Sequence, residues 1–183
     1  MKKFPIILIL AAVVALIASC VGNSVEDEYK DWRQTNTEWF SMQVNRTDAS
    51  GKSYYKMLGA PWDPSAQTLI HWYNDTMLTR NNLKPLYTST VDVKYRLRLY
   101  DGTAIDSSYT SMSPADSVTR FVMPGTLIEG WVMAMMNMHV GDSCSVIVPY
   151  QQGYGSVTMG KVKPFSTLVF DIKLVSIYGY ETN

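Results

Sequence analysis

The chain has little of what most catalytic sites are built from. Among 183 residues there are two histidines and two cysteines. His71 and His139 have no partner at ligand spacing, so neither a metal site nor a Ser-His-Asp arrangement is supported. An excess of one charge sign is also missing. Sixteen basic residues face sixteen acidic ones with no basic stripe, which argues against a nucleic-acid surface. No run is long enough to cross a bilayer: the apolar stretch from Phe4 to Ala18 falls short of the roughly 20 residues required. In "SCSVIVP", Cys144 shares one strand face with Val146 and Val148, the pattern of a packed core thiol rather than a nucleophile.

What is present begins with a leader. Lys2 and Lys3 precede the apolar run, and small residues precede Cys20. The segment "LIASC" resembles a bacterial lipobox. The resemblance implies a signal peptide over residues 1–19 and a diacylglyceryl group on the Cys20 sulfur. Cys20 is then used for lipid, which leaves Cys144 alone and makes an intramolecular disulfide unexpected. Several acyl chains would anchor the chain firmly. A lipid anchor in the cell envelope is therefore expected. Val21 and Gly22 lack an aspartate retention signal, which favours the outer membrane and leaves its face open. Residues 20–183 suffice for one domain of ordinary size plus an extension.

Residues 26–45 read as a helix. Acids open it, and Trp32, Trp39 and Phe40 form an apolar stripe. The stripe either packs on the main domain, the favoured reading, or meets a partner. "NRTDASGKS" is a loop. "SYYKMLGA" and "TLIHWYNDTML" read as strands split by the turn-rich "PWDPS". Four more strands follow: "VDVKYRLRLY", "VTRFVM", "SCSVIVPY" and "TLVFDIKLVSIY". In the first of these, Val91, Val93, Tyr95, Leu97 and Leu99 alternate with polar residues, so one face is wet. Asp101-Gly102 behind it signals a hairpin. One short helix fits, over Glu129 to Met136. The expected class is α+β, a curved antiparallel sheet wrapped around one short helix.

The order of motifs resembles the FKBP-type peptidyl-prolyl isomerases. The chain shows "VKY" at 93–95, "DG" at 101–102, "IDSS" at 105–108, "RF" at 120–121 and "LIEGW" at 127–131. "MHVGD" at 138–142, "VIVPY" at 146–150, "GYG" at 153–155 and "TLVFDIKL" at 167–174 follow in the family's order. Each motif alone is weak, and the ordered set over about residues 86–178 is specific. The implied division is an FKBP-like domain over 86–180 behind a lipid-anchored extension over 20–85, whose helix over 26–45 is expected to pack on the main domain and lie outside the catalytic unit.

The resemblance implies a cofactor-free isomerase of X-Pro peptide bonds that assists the folding of extracytoplasmic proteins. Its substrates would be proline-containing polypeptides. A macrolide ligand of the family and a monomeric state are expected with it. Trp131, Leu127 and Ile128 would form the pocket floor, with Tyr95 and Phe170 as walls and Phe121 beside them. Tyr154 would donate to a bound carbonyl, Asp106 would stand beside the pocket, Ile105 would contribute to it, and Val162 would close over the proline. Three positions depart from the family: Ile105 replaces a phenylalanine, Thr119 an aromatic, and Lys163-Pro164 a double proline. Two other functions remain open. One is an FKBP-like peptide-binding or chaperone module with little or no turnover. The other is a structural lipoprotein acting through its aromatic helix.

Overall fold

Residues 24–111 and 117–179 are described by a computed structural model. The leader and Cys20 lie outside these residues. The expected N-terminal helix forms as two pieces, α1 (Val25–Glu28) and α2 (Lys30–Val44). Ser24 caps α1, its hydroxyl oxygen accepting from the Asp27 N–H at 3.2 Å. In α2, Trp32, Asn36 and Phe40 recur every fourth residue and so share one side. That side faces the rest of the protein: Asn36 and Phe40 are buried, and Trp32 is packed against the core.

Seven strands follow: β1 (Lys56–Ala60), β2 (Asp63–Trp72), β3 (Thr90–Leu99), β4 (Ala104–Ser107), β5 (Thr119–Val122), β6 (Ser143–Val148) and β7 (Leu168–Ile177). They form one antiparallel sheet in the order β1-β2-β6-β7-β3-β4, with β5 also paired to β3. The ten-residue β3 has room for both neighbours on one edge. Its first half pairs with β5 from Thr90 to Val93, its second with β4 from Arg96 to Arg98. The expected boundary near residue 86 thus falls between β2 and β3 of a single sheet.

Two details differ from the sequence reading. The "PWDPS" turn shrinks to Pro61 and Trp62, because Asp63 already pairs with Ala60. Pro64 is tolerated inside β2 because it sits at a register shift, where no ladder bond is required of it. The strand expected to run through "TLIHWYNDTML" stops at Trp72. The expected short helix forms as α5 (Glu129–Met135), joined by two four-residue turns of helix, α3 (Ser108–Ser111) and α4 (Met123–Thr126).

The sheet is covered on both faces. On one, α5 packs against β1, β2 and β6, and its residues from Gly130 to Met135 are all buried. On the other, Phe40 of α2 joins Leu69, Ile147 and Val169 in a second apolar cluster. This explains why β6 is buried on alternate positions of both faces, contrary to a simple wet-and-dry pattern. Cys144 lies wholly inside, and burial pushes its thiol pKa up, as befits a packed rather than a reactive sulfur.

The approach of α5 to the sheet requires a glycine. A Cβ on Gly130 would lie 2.4 and 2.6 Å from the two methyls of Val148 and 3.0 Å from the Thr68 hydroxyl. Gly130→Ala gains about 0.5–1 kcal/mol of helix propensity but overpacks a rigid strand, at about 1–3 kcal/mol. The clash is expected to win. Urea unfolding should show Gly130→Ala less stable, and adding Val148→Ala should cost less than the two single losses summed. A neutral Gly130→Ala would mean the contact is looser than this geometry.

Candidate active site

A cavity of about 240 Å³ opens between α5 and the β3–β7 half of the sheet. Its floor is Trp131, 3 % exposed, in the first turn of α5. Three aromatic rings meet the indole nearly at right angles. Phe170 of β7 is 5.2 Å from it between ring centroids, and Tyr95 of β3 and Phe121 of β5 are each 5.5 Å away. Edge-to-face contacts of this kind are favourable and fix the rings' relative tilt. Leu127 and Ile128, from the link between α4 and α5, complete the apolar wall. Inward alternation along β3, β5 and β7 is what aims these side chains to one side.

The polar groups sit at the rim. Tyr95 Oη donates to Asp106 Oδ2 at 2.6 Å, and the Ser107 N–H donates to Asp106 Oδ1 at 2.7 Å. Asp106 therefore holds Tyr95 in place, and its own orientation is fixed by the backbone. Burial first, and then the Asp106 hydrogen bond, pushes the Tyr95 hydroxyl far above its usual pKa. Tyr154 is half-buried, and burial, with Asp106 as the lesser cause, raises its pKa too. Its hydroxyl makes no hydrogen bond among the described residues, so it is a neutral donor without an internal acceptor.

The loop that carries Tyr154 is pinned from the opposite face by α2. Arg33 Nε donates to Tyr150 Oη at 3.1 Å, Trp32 Nε1 to Ser166 Oγ at 3.1 Å, and the Thr167 N–H to Asn36 Oδ1 at 2.7 Å. Lys163, one of the departures from the family, stacks its ammonium 4.9 Å from the Trp32 ring. Phe165 adopts a left-handed backbone, φ 61°, which a bulky residue avoids unless its surroundings enforce it. Here its N–H donates to Gly155 O at 2.8 Å and its ring packs on Tyr150.

Of the residues expected at the site, Tyr95, Asp106, Phe121, Leu127, Ile128, Trp131, Tyr154 and Phe170 line the cavity together. Ile105 and Val162 do not. Ile105 falls at the register shift of β4, where Leu97 pairs with Asp106 and Arg98 with Ala104, and it packs half-buried against the core. Val162 is turned inward, 2 % exposed, in a bridge with Met159. Leu97 and Thr126 line the cavity without having been expected. Leu97 lies on the same inward face of β3 as Tyr95, a signal that was available in the alternation. Thr126 carries no such signal.

A family model for FKBP-type peptidyl-prolyl cis-trans isomerase matches residues 82–175. The chain belongs to this family. It is 37% identical over 94 residues to the FKBP-type 22 kDa peptidyl-prolyl cis-trans isomerase of Escherichia coli, covering 51% of this chain and 43% of that one. It is 36% identical over 95 residues to the outer membrane protein MIP of Legionella longbeachae, covering 51% of this chain and 39% of that one. The chain thus matches less than half the length of these two relatives. The crystal structure of FkpA from Escherichia coli shares the fold, with a TM-score of 0.67 at 22% identity over 97% of this chain and 73% of that one.

The two cavity tyrosines give a test of the geometry. An acid whose pKa is raised stays protonated to higher pH, so at pH ~10, where an ordinary tyrosine is half ionised, Tyr95 should still be neutral and Tyr154 less ionised than an ordinary tyrosine. Tyrosinate absorbance during an alkaline titration is expected to be unchanged at that pH by Tyr95→Phe, and to fall less with Tyr154→Phe than loss of an ordinary tyrosine would cause. Asp106→Asn should bring the Tyr95 transition down, though not to the ordinary value, since burial is the larger cause. A Tyr95 that ionises normally would rule out the hydrogen bond to Asp106.

Proposed function

We propose that the chain is a peptidyl-prolyl cis-trans isomerase, held to the outer membrane by lipid on Cys20, that assists the folding of extracytoplasmic polypeptides. The observation that carries this reading is the convergence of Trp131, Tyr95, Phe121 and Phe170 around one cavity, with Tyr154 and Asp106 at its rim. The envelope location rests on "LIASC" and is supported by likeness to a relative named as an outer membrane protein.

Rotation about an X-Pro bond is opposed by amide resonance, a barrier of about 18–20 kcal/mol. No covalent bond has to form. The site must bind the twisted amide better than either planar isomer. Twisting removes conjugation, so the carbonyl becomes less polar and the nitrogen more amine-like. An apolar cavity suits that state, because it takes away the water that favours the polar planar amide. Trp131 supports the pyrrolidine ring from below, and the three rings around it exclude water. Tyr154 donates to a substrate carbonyl and orients it. Asp106 acts through Tyr95, whose hydroxyl it holds, so its role is positional.

A second reading is a peptide-binding module with little turnover. It is motivated by the departures at Ile105 and Thr119, and from β4 only Asp106, no aromatic side chain, lines the cavity. Turnover of a short proline peptide decides between the two. Losing one neutral hydrogen bond costs about 0.5–1.5 kcal/mol, so Tyr154→Phe should lower kcat/KM by roughly threefold to tenfold with the circular dichroism spectrum unchanged. Wild-type protein that binds proline peptides without accelerating their isomerisation would replace the isomerase reading with the module. For the anchor, Cys20→Ser should abolish incorporation of labelled acyl chains, and label retained on that variant would refute lipidation at Cys20.

A further inference from the structure

The proline cavity has a neighbour. Leu127 lines both it and a second cavity of about 220 Å³ that Trp62, Tyr87, Glu129 and Val132 also line. Trp62 comes from the turn between β1 and β2, outside the residues that match the family. Trp62 and Tyr87 are about half exposed, and their rings meet edge-on at 5.6 Å. Two large aromatic side chains held against each other in water mark a contact surface rather than a core. Trp62 Nε1 donates to Glu129 Oε1 at 2.7 Å, which locks the indole to the carboxylate. The other carboxylate oxygen has no hydrogen bond, and Glu129 has no ion pair, among the described residues.

We infer that this second cavity is a subsite for a lysine or arginine side chain of the polypeptide whose proline occupies the neighbouring pocket. The inference rests on the isomerase or peptide-binding reading of that pocket. Three observations point to this occupant. The volume is below the roughly 300–1,000 Å³ of drug-sized ligand sites, so it suits one side chain. Aromatic faces beside a carboxylate attract a cation through the ring quadrupole and through charge. The shared Leu127 makes the two cavities adjacent, so one extended chain reaches both. The apolar stem of a long basic side chain would run along Val132 and Leu127 while its charged end meets Glu129. A glutamate in the same place would meet like charge.

The test uses short proline peptides in which lysine, glutamine or glutamate is placed at one position at a time on either side of the proline. Affinity is read by calorimetry at low salt, and isomerisation of the same peptides is followed separately. At one position the lysine peptide should bind about fivefold more tightly than the glutamine peptide, and the glutamate peptide more weakly than either. Glu129→Gln and Trp62→Leu should each bring the ratio of lysine-peptide to glutamine-peptide affinity close to one. Glu129→Lys should turn the preference toward glutamate. Both residues are partly exposed, so these variants are expected to keep the wild-type circular dichroism spectrum. The subsite is overturned if no position distinguishes lysine from glutamine, or if the preference survives in Glu129→Gln. Turnover judges the other reading independently. Lysine preference without turnover upholds the subsite and sinks the isomerase, whereas turnover without lysine preference does the reverse.

Discussion

The contact between Gly130 and Val148 sets the distance from α5 to the sheet, and the site depends on that distance. A side chain at 130 would drive the helix away from β6 by colliding with a β-branched residue that has no flexible end to yield. Trp131 is the next residue. Its indole reaches Phe170, Tyr95 and Phe121 at 5.2–5.5 Å only because the helix backbone is already close. Three strands supply those three rings, so the floor of the cavity is also the centre of the core. The same buried aromatic contacts that stabilise the fold form the apolar floor of the cavity.

The rim is organised differently. Tyr154 sits on a loop, and loops lack the ladder that fixes a strand. Its rigidity is borrowed from α2 across the sheet. Asn36 is the central example: a fully buried amide that would be costly unpaired donates to Trp32 O at 2.8 Å and accepts from the Thr167 N–H at 2.7 Å. Trp32 and Arg33 add further ties to the two ends of the loop. The N-terminal helix is therefore part of the folded unit that carries the cavity. It covers Leu69, Ile147 and Val169 on one side of the sheet and steadies the cavity rim that opens on the other.

The cavity's chemistry fits this division of roles. On the proposed isomerase reading, amide rotation moves no proton permanently and asks for no acid-base pair, which agrees with the single carboxylate, Asp106, that lines the cavity. That carboxylate is engaged by Tyr95 and the Ser107 N–H. Lys163 lies beside Trp32, where its cation stacks on an aromatic face that α2 provides.

Much of this was determined by the sequence alone. Period-two alternation in β3 and β7 assigned Tyr95 and Phe170 to the inner face, and the ordered motifs brought eight of the cavity's lining residues into one list. Such patterns are legible because each strand residue's side is set by its own position along the chain. Tertiary structure decided the rest. The register shift in β4 took Ile105 off the cavity wall, and the closure of the 153–167 loop turned Val162 inward. The burial of β6 on both faces, the tie from Asn36 to Thr167, and the meeting of Trp62 with Glu129 join segments far apart in the chain. Register and long-range pairing depend on which strands and helices lie side by side, and periodicity within one segment carries no record of its neighbours.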